Sequence, residues 1–286
     1  MKNSTITDPL FREAVEAIDA GNLPVLRHLL EANPQLVSRR LDQPTEGYFK
    51  HPFLLWFIAN NPIRHDKIPA NTKEITNLLI KFVRQHSSGN FQQQIDYTLE
   101  LVETGSVLRD SGRQIELIDL LIDNGATPGN AQRALANGNM EAAKHIIQRS
   151  GKLTLTAAVC LDRMEDVRRL LGEATIDEKQ VALMAASFYG KPAIIALLIQ
   201  SGVDVNAYIN DGFHSHASPL HQAVSSGSQE AVSLLIQAGA NPDATDKVYH
   251  GTPLGWAQYM HREDKDEEAR KKYAAIEMYL LSKQNG

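Results

Sequence analysis

Two segments of this chain align at a fixed offset, and that repeat constrains the fold more than any single motif. ALMAASFYGKPAIIALLIQSGVDVNA, residues 182–207, aligns without gaps with PLHQAVSSGSQEAVSLLIQAGANPDA, residues 219–244, at an offset of 37. Ala186 falls on Ala223, Gly190 on Gly227, Leu198 on Leu235 and Gly202 on Gly239. The 3–4 spacing of Val232, Leu235 and Ile236 is helical. Gly227 then stands between two helices, where a tight turn needs a residue free to take positive φ. Gly239 stands where the second helix ends on a glycine cap. Each unit is therefore a helix, a turn, a second helix and a loop.

The same spacing recurs along the chain. It places Ala17, Gly21, Leu26, Leu29 and Leu30 in register, then Ala134, Gly138, Ala143, Ile146 and Ile147. Ala158, Asp162, Val167, Leu170 and Leu171 follow, with Asp162 in the glycine's place. RQIELIDLLIDNGATP supplies a second helix ending at Gly125. HPFLLWFIANN and KEITNLLIKFV read as a pair split by the insert 61–71, and GTPLGWAQYM and KYAAIEMYLL as a last pair split by a charged run. A further insert covers 103–113. The spacing predicts about eight units, near 8–42, 45–90, 91–128, 129–151, 152–174, 175–211, 212–249 and 250–286. One amphipathic helix pair cannot bury its apolar face alone, whereas stacked pairs can. The expected architecture is an all-α solenoid forming a single domain over 1–286.

Composition excludes several classes of function. The net charge is −5 and no lysine- or arginine-rich run is present, which argues against nucleic-acid binding. The longest apolar run, FLLWFIA at 53–59, is far short of the roughly 18–20 residues that span a bilayer. The N-terminal stretch lacks the apolar core of a secretory signal. One cysteine, Cys160, permits no internal disulfide, which fits a reducing compartment. The expected setting is cytoplasmic, with no membrane partner. Phosphate-binding glycine loops and hydrolase or metalloprotease motifs are absent from the sequence, so no enzyme activity and no cofactor are expected.

SPLHQAVSSGSQEAVSLLIQAGANPDA, residues 218–244, resembles an ankyrin repeat, and GTPLGWA, residues 251–257, carries the same start with Gly255 in place of the histidine. GVDVNA and GANPDA match the end of the family pattern. In 1–150 the likeness rests on helix spacing. The arrangement resembles a divergent, bacterial type of ankyrin-repeat protein. The resemblance implies a non-catalytic module, here expected to be a monomer, that binds a protein through a concave face and finger loops.

The ankyrin pattern sets the residues between the alanine of the first helix and the glycine turn on the binding face. Here these are Phe188 and Tyr189, Ser225 and Ser226, Tyr259 and Met260, and Cys160 and Leu161. Cys160 itself reads as a small apolar residue at a helix surface. The fingers add Tyr208, Phe213, His214 and Tyr249. Trp56, Trp256, Leu198, Leu235 and Ile236 are expected in the core. By the same pattern His221 hydrogen-bonds backbone at a turn between repeats. A competing reading takes His214, His216 and His250 as a metal-dependent site of a regulator or enzyme, with Asp211 the one carboxylate at ligand spacing.

Overall fold

A computed structural model describes residues 5–42, 47–87, 89–210 and 212–284; Asp211 lies outside them. Among the described residues the regular structure is helical, apart from one isolated antiparallel bridge between Arg40 and Phe53. The chain divides into two compact units, 1–151 and 152–286.

In the first unit the helices are α1 (Pro9–Asp19), α2 (Leu23–Ala32), α3 (Thr72–His86), α4 (Phe91–Thr104), α5 (Ser106–Asp110), α6 (Gln114–Asp123), α7 (Gln132–Ala136) and α8 (Met140–Ser150). A 3-10 helix, Leu54–Ala59, precedes α3. They pair as α1 with α2, the 3-10 helix with α3, α4 with α6, and α7 with α8. The first members pack in one row and the second members in another. Every residue of Leu54–Ala59 is buried, because a run of apolar residues offers no polar face to turn outward. The insert 61–71 stitches this packing together. Arg64 Nη2 donates to Asp19 at 2.6 Å and to the Phe57 carbonyl at 2.7 Å, and Asn71 Nδ2 donates to the Gly21 carbonyl at 2.8 Å. The insert 103–113 holds the last residues of α4 and the short α5.

The second unit holds α9 (Leu155–Cys160), α10 (Met164–Leu171), α11 (Ile176–Phe188), α12 (Pro192–Gln200), α13 (Pro219–Ser225), α14 (Gln229–Gln237), α15 (Pro253–Glu263) and α16 (Glu267–Gln284). Here α9, α11, α13 and α15 pack side by side, and α10, α12, α14 and α16 form a second row behind them. Each pair buries a stripe of aliphatic residues between the rows, such as Ile195 and Leu198 from α12 and Val232 and Leu235 from α14.

The turn inside each pair follows the sequence spacing closely. Gly21, Gly138, Gly190 and Gly227 all take positive φ, and Asp162 takes φ 59 in the same place. In four of these turns the next residue donates its N–H back to the small residue of the first helix, while after Gly227 the Ser228 N–H donates to Ser226 Oγ at 3.2 Å. Asn22 reaches Ala17 at 2.8 Å, and Asn139, Arg163 and Lys191 reach Ala134, Ala158 and Ala186 at 2.9 Å. This left-handed ending satisfies carbonyls that a helix end would otherwise leave open. It keeps the loop so short that the second helix must fold back on the first.

Helix starts are capped by local chemistry. Asp8 accepts from the Phe11 N–H at 2.9 Å, and Thr252 accepts from Gly255 at 3.1 Å, each followed by a proline at the first helical position. Thr175 and Glu178 form a reciprocal capping box at the start of α11.

Candidate functional site

The second unit carries two well-built fingers, between α12 and α13 and between α14 and α15. The first is held from within. Ile209 and Phe213 are buried, Phe213 completely, and the Phe213 ring meets Phe188 of α11 at a centroid distance of 6.0 Å. Phe213 and His214 both take left-handed backbone, with φ 34 and 55, which turns the chain sharply at this point. Compact loops of this kind pack on their own side chains. Phe213 is therefore withdrawn from the surface where the sequence reading places it. A large ring in a loop finds more apolar area beneath it than solvent outside.

The second finger is organised by Asp246, which is fully buried. Its Oδ1 accepts from the Val248 N–H at 2.9 Å and the Tyr249 N–H at 2.6 Å. Its Oδ2 accepts from the Gly251 N–H at 2.9 Å and the Trp256 indole N–H at 3.1 Å. Burial alone would raise this carboxyl; the four hydrogen bonds outweigh it and hold the group at about 2. The two fingers also join: the Lys247 N–H donates to the His216 carbonyl at 2.7 Å, and Tyr208 Oη donates to the Thr245 carbonyl at 2.8 Å. Lys247 Nζ stacks over the Tyr208 ring at 4.6 Å. Tyr208 is thus half-buried in a seam between fingers.

Aromatic rings run in sequence across this face. Phe188 touches Tyr189 at 5.0 Å and His214 at 5.5 Å. His214 lies 6.0 Å from His216, which lies 6.1 Å from both Tyr249 and Trp256. Desolvation of the packed ring, then the neighbouring His216, lowers the His214 pKa. Past this line opens a cleft of about 530 Å³, lined by Tyr249, Gly251, Gly255, Trp256, Tyr259 and Met260. Tyr249 is 76% exposed and Tyr259 59% exposed, while Trp256 and Met260 are half-buried. Gly255 stands where α13 has His221, and its missing side chain leaves this room beside Trp256.

His221 shows what the cleft lacks. It is fully buried. Its Nδ1 accepts from the Ser218 N–H at 3.3 Å and lies 2.8 Å from Ser218 Oγ, and its Nε2 lies 3.0 Å from the Gly251 carbonyl. A backbone N–H only donates and a carbonyl only accepts. The ring is therefore the neutral tautomer with its proton on Nε2. Burial, its largest influence, lowers its pKa.

Other expectations are revised. Cys160 is buried rather than on a helix surface, and burial pushes its thiol up to about 12. Ser225 and Ser226 are half-buried: the Ser225 carbonyl accepts from Tyr273 Oη at 3.1 Å, and Ser226 Oγ donates to the Ala223 carbonyl at 2.7 Å. A Cβ on Gly190 would lie 2.9 Å from Ser226 Oγ, so this serine fills the neighbouring turn. Trp256 and Ile236 are half-buried, whereas Trp56, Leu198 and Leu235 are core. His214, His216 and His250 do not form a ligand set. Among the described residues no three His, Cys, Asp or Glu side chains are placed to hold a metal ion. No helix among them is long and apolar enough to cross a membrane. The sequence pattern does not single out Asp246 or Glu103, a buried carboxyl in the first unit. The signal for Asp246 is an aspartate just ahead of a turn and a TPLG helix start.

Comparison with known proteins agrees with this architecture. The family model for ankyrin repeats (3 copies) matches residues 155–246 and 183–264. A zinc finger CCCH domain-containing protein, number 24 of its series, from Oryza sativa subsp. japonica is 42% identical over 80 residues. The match covers 26% of this chain and 10% of that protein, so the chain spans only a small part of that relative's length.

Proposed function

Since this chain is an ankyrin-repeat protein, its repeats matched across residues 155–264, we propose that it is a non-catalytic module that captures a protein partner through the finger face of its second unit. Ankyrin repeats are in general protein–protein interaction modules, and the family is typically non-enzymatic. The observation that carries the reading is the aromatic cleft at Tyr249, Trp256, Tyr259 and Met260. Its wall is fixed by the Asp246 hydrogen bonds, yet two tyrosines stand in solvent. Exposed tyrosines with a methionine on a rigid support form the sort of patch that supplies anchor residues in interfaces. His214, Phe188 and Tyr189 extend the patch along the aromatic line, and Tyr208 buttresses it. The net charge of −5 without a basic run favours a protein over a nucleic acid as the occupant. The reading takes the chain as a cytoplasmic monomer.

The test compares capture from a lysate of the native host by the wild-type chain and by Tyr249→Ser/Tyr259→Ser. A specific protein retained by the wild type and lost by the double variant, with both melting at the same temperature, supports the cleft as the docking site. Equal retention by both would place the docking site elsewhere.

A further inference from the structure

Glu103 is a buried carboxyl of the first unit that the packing leaves without a hydrogen bond. It lies in the last turn of α4 and is only 6% exposed. Its backbone is well used: the carbonyl accepts from Gln114 Nε2 at 3.2 Å and from Asn139 Nδ2 at 2.8 Å. Its carboxyl receives no hydrogen bond from any described residue; the surroundings act on it through burial, then Glu100, then Arg133. A buried polar group without a partner costs free energy and calls for an explanation.

The carboxyl faces a cleft of about 290 Å³, whose lining includes Asp96, Leu99, Glu100, Ala131 and Arg133. The charges in that lining are already partly assigned. Asp96 accepts from Gln92 at 2.8 Å and from the Thr127 N–H at 2.7 Å, and Arg133 Nε lies 3.3 Å from Glu100. Three carboxyls thus face one guanidinium, and that guanidinium has its own partner. Leu99 and Ala131 supply an apolar wall for a short hydrocarbon stem.

We propose that this cleft binds a primary alkylammonium ion, with the Glu103 carboxylate as its buried counter-ion. A metal ion is not the fitting occupant, since no three ligating side chains converge among the described residues. An ammonium on a flexible stem is satisfied by Glu103, the Glu100 edge and water. The two charged neighbours acting on Glu103 are Glu100 from its own helix and Arg133 from α7. Without ligand, burial keeps Glu103 protonated, its pKa raised to about 8. An arriving ammonium keeps its own protons, and Glu103 releases its proton to solvent. Binding at pH 7 therefore releases this proton.

The experiment is calorimetric titration of the intact chain at pH 7 with butylamine and with Nα-acetyl-lysine methylamide, each in phosphate and in MOPS, neither of which is a primary amine. Expected are saturable binding and a buffer-dependent heat matching that proton release, both lost in Glu103→Gln. Tighter binding of the lysine amide would assign the site to a polypeptide lysine, and equal binding to a free amine. Heat from neither probe at tens of millimolar, or the same binding in Glu103→Gln, would overturn the proposal. A direct readout is the Glu103 carboxyl carbon followed by NMR. Its titration moves to lower pH under saturating butylammonium if the proposal holds, and stays in place if it does not.

Discussion

His221 Nε2 lies 3.0 Å from the carbonyl oxygen of Gly251, so the first turn of α13 is tied to the finger that leads into α15. The arrangement as a whole needs a neutral ring, because the Ser218 N–H donates to Nδ1, which a protonated ring could not accept. That requirement makes the joint sensitive to acid.

The sign follows from the lowered pKa of His221. Below about 6.5, the ordinary histidine value, the unfolded chain takes up a proton that the folded ring resists. Stability should therefore fall as pH drops from neutral through the lowered folded pKa, and level off beneath it. Denaturant unfolding from pH 8 to pH 5 should show this slope flattened in His221→Gln. The variant should also be about 1–3 kcal/mol less stable at pH 8, having left buried partners unsatisfied.

Asp246 works in the same direction at lower pH. Its folded carboxyl sits at about 2, below its unfolded value, so its contribution is complete above about 4 and fades as pH falls toward 2. Asp246→Asn cannot accept all four donors. It should lose about 1–3 kcal/mol at pH 7 by thermal melting, with the loss narrowing toward pH 2. The Trp256 fluorescence should shift, since its indole N–H loses a charged acceptor.

Glu103 has a raised pKa of about 8, so the folded chain keeps a proton that the unfolded chain releases. Stability should decline as pH rises from about 4.5 through about 8. Glu103→Gln should remove that decline and be more stable than the wild type at pH 9. Urea midpoints at pH 4 and pH 9 check both halves of the statement.

Phe213 and Tyr259 separate support from surface. Phe213→Ala removes a fully buried ring and should cost about 3–5 kcal/mol in urea unfolding. Tyr259→Ser, at a ring 59% exposed, should stay within about 0.5 kcal/mol of the wild type. A Tyr259→Ser loss as large as that of Phe213→Ala would move this tyrosine out of the candidate surface.

The helix pairs were legible in the sequence itself. Ala186, Gly190, Leu198 and Gly202 recur at fixed spacing because helical period, left-handed turns and glycine caps act over a few residues of chain. Asp162 was readable too, by position, as a turn residue without glycine. The role of His221 followed from its place in a helix start, where Ser218 and the ring are three residues apart. What only the tertiary structure decided is burial and what surrounds it. Phe213 and Tyr249 are both finger aromatics; one fills the loop's interior and the other stands in solvent. Glu100 and Glu103 sit one turn apart on α4, yet one pairs with Arg133 and the other is enclosed without a partner. Gly255 reads as a lost histidine, and the cleft it opens exists only because Tyr249, Trp256 and Tyr259 surround it. Spacing along the chain specifies which groups can form a helix pair, whereas desolvation and charge depend on neighbours brought together from distant parts of the sequence.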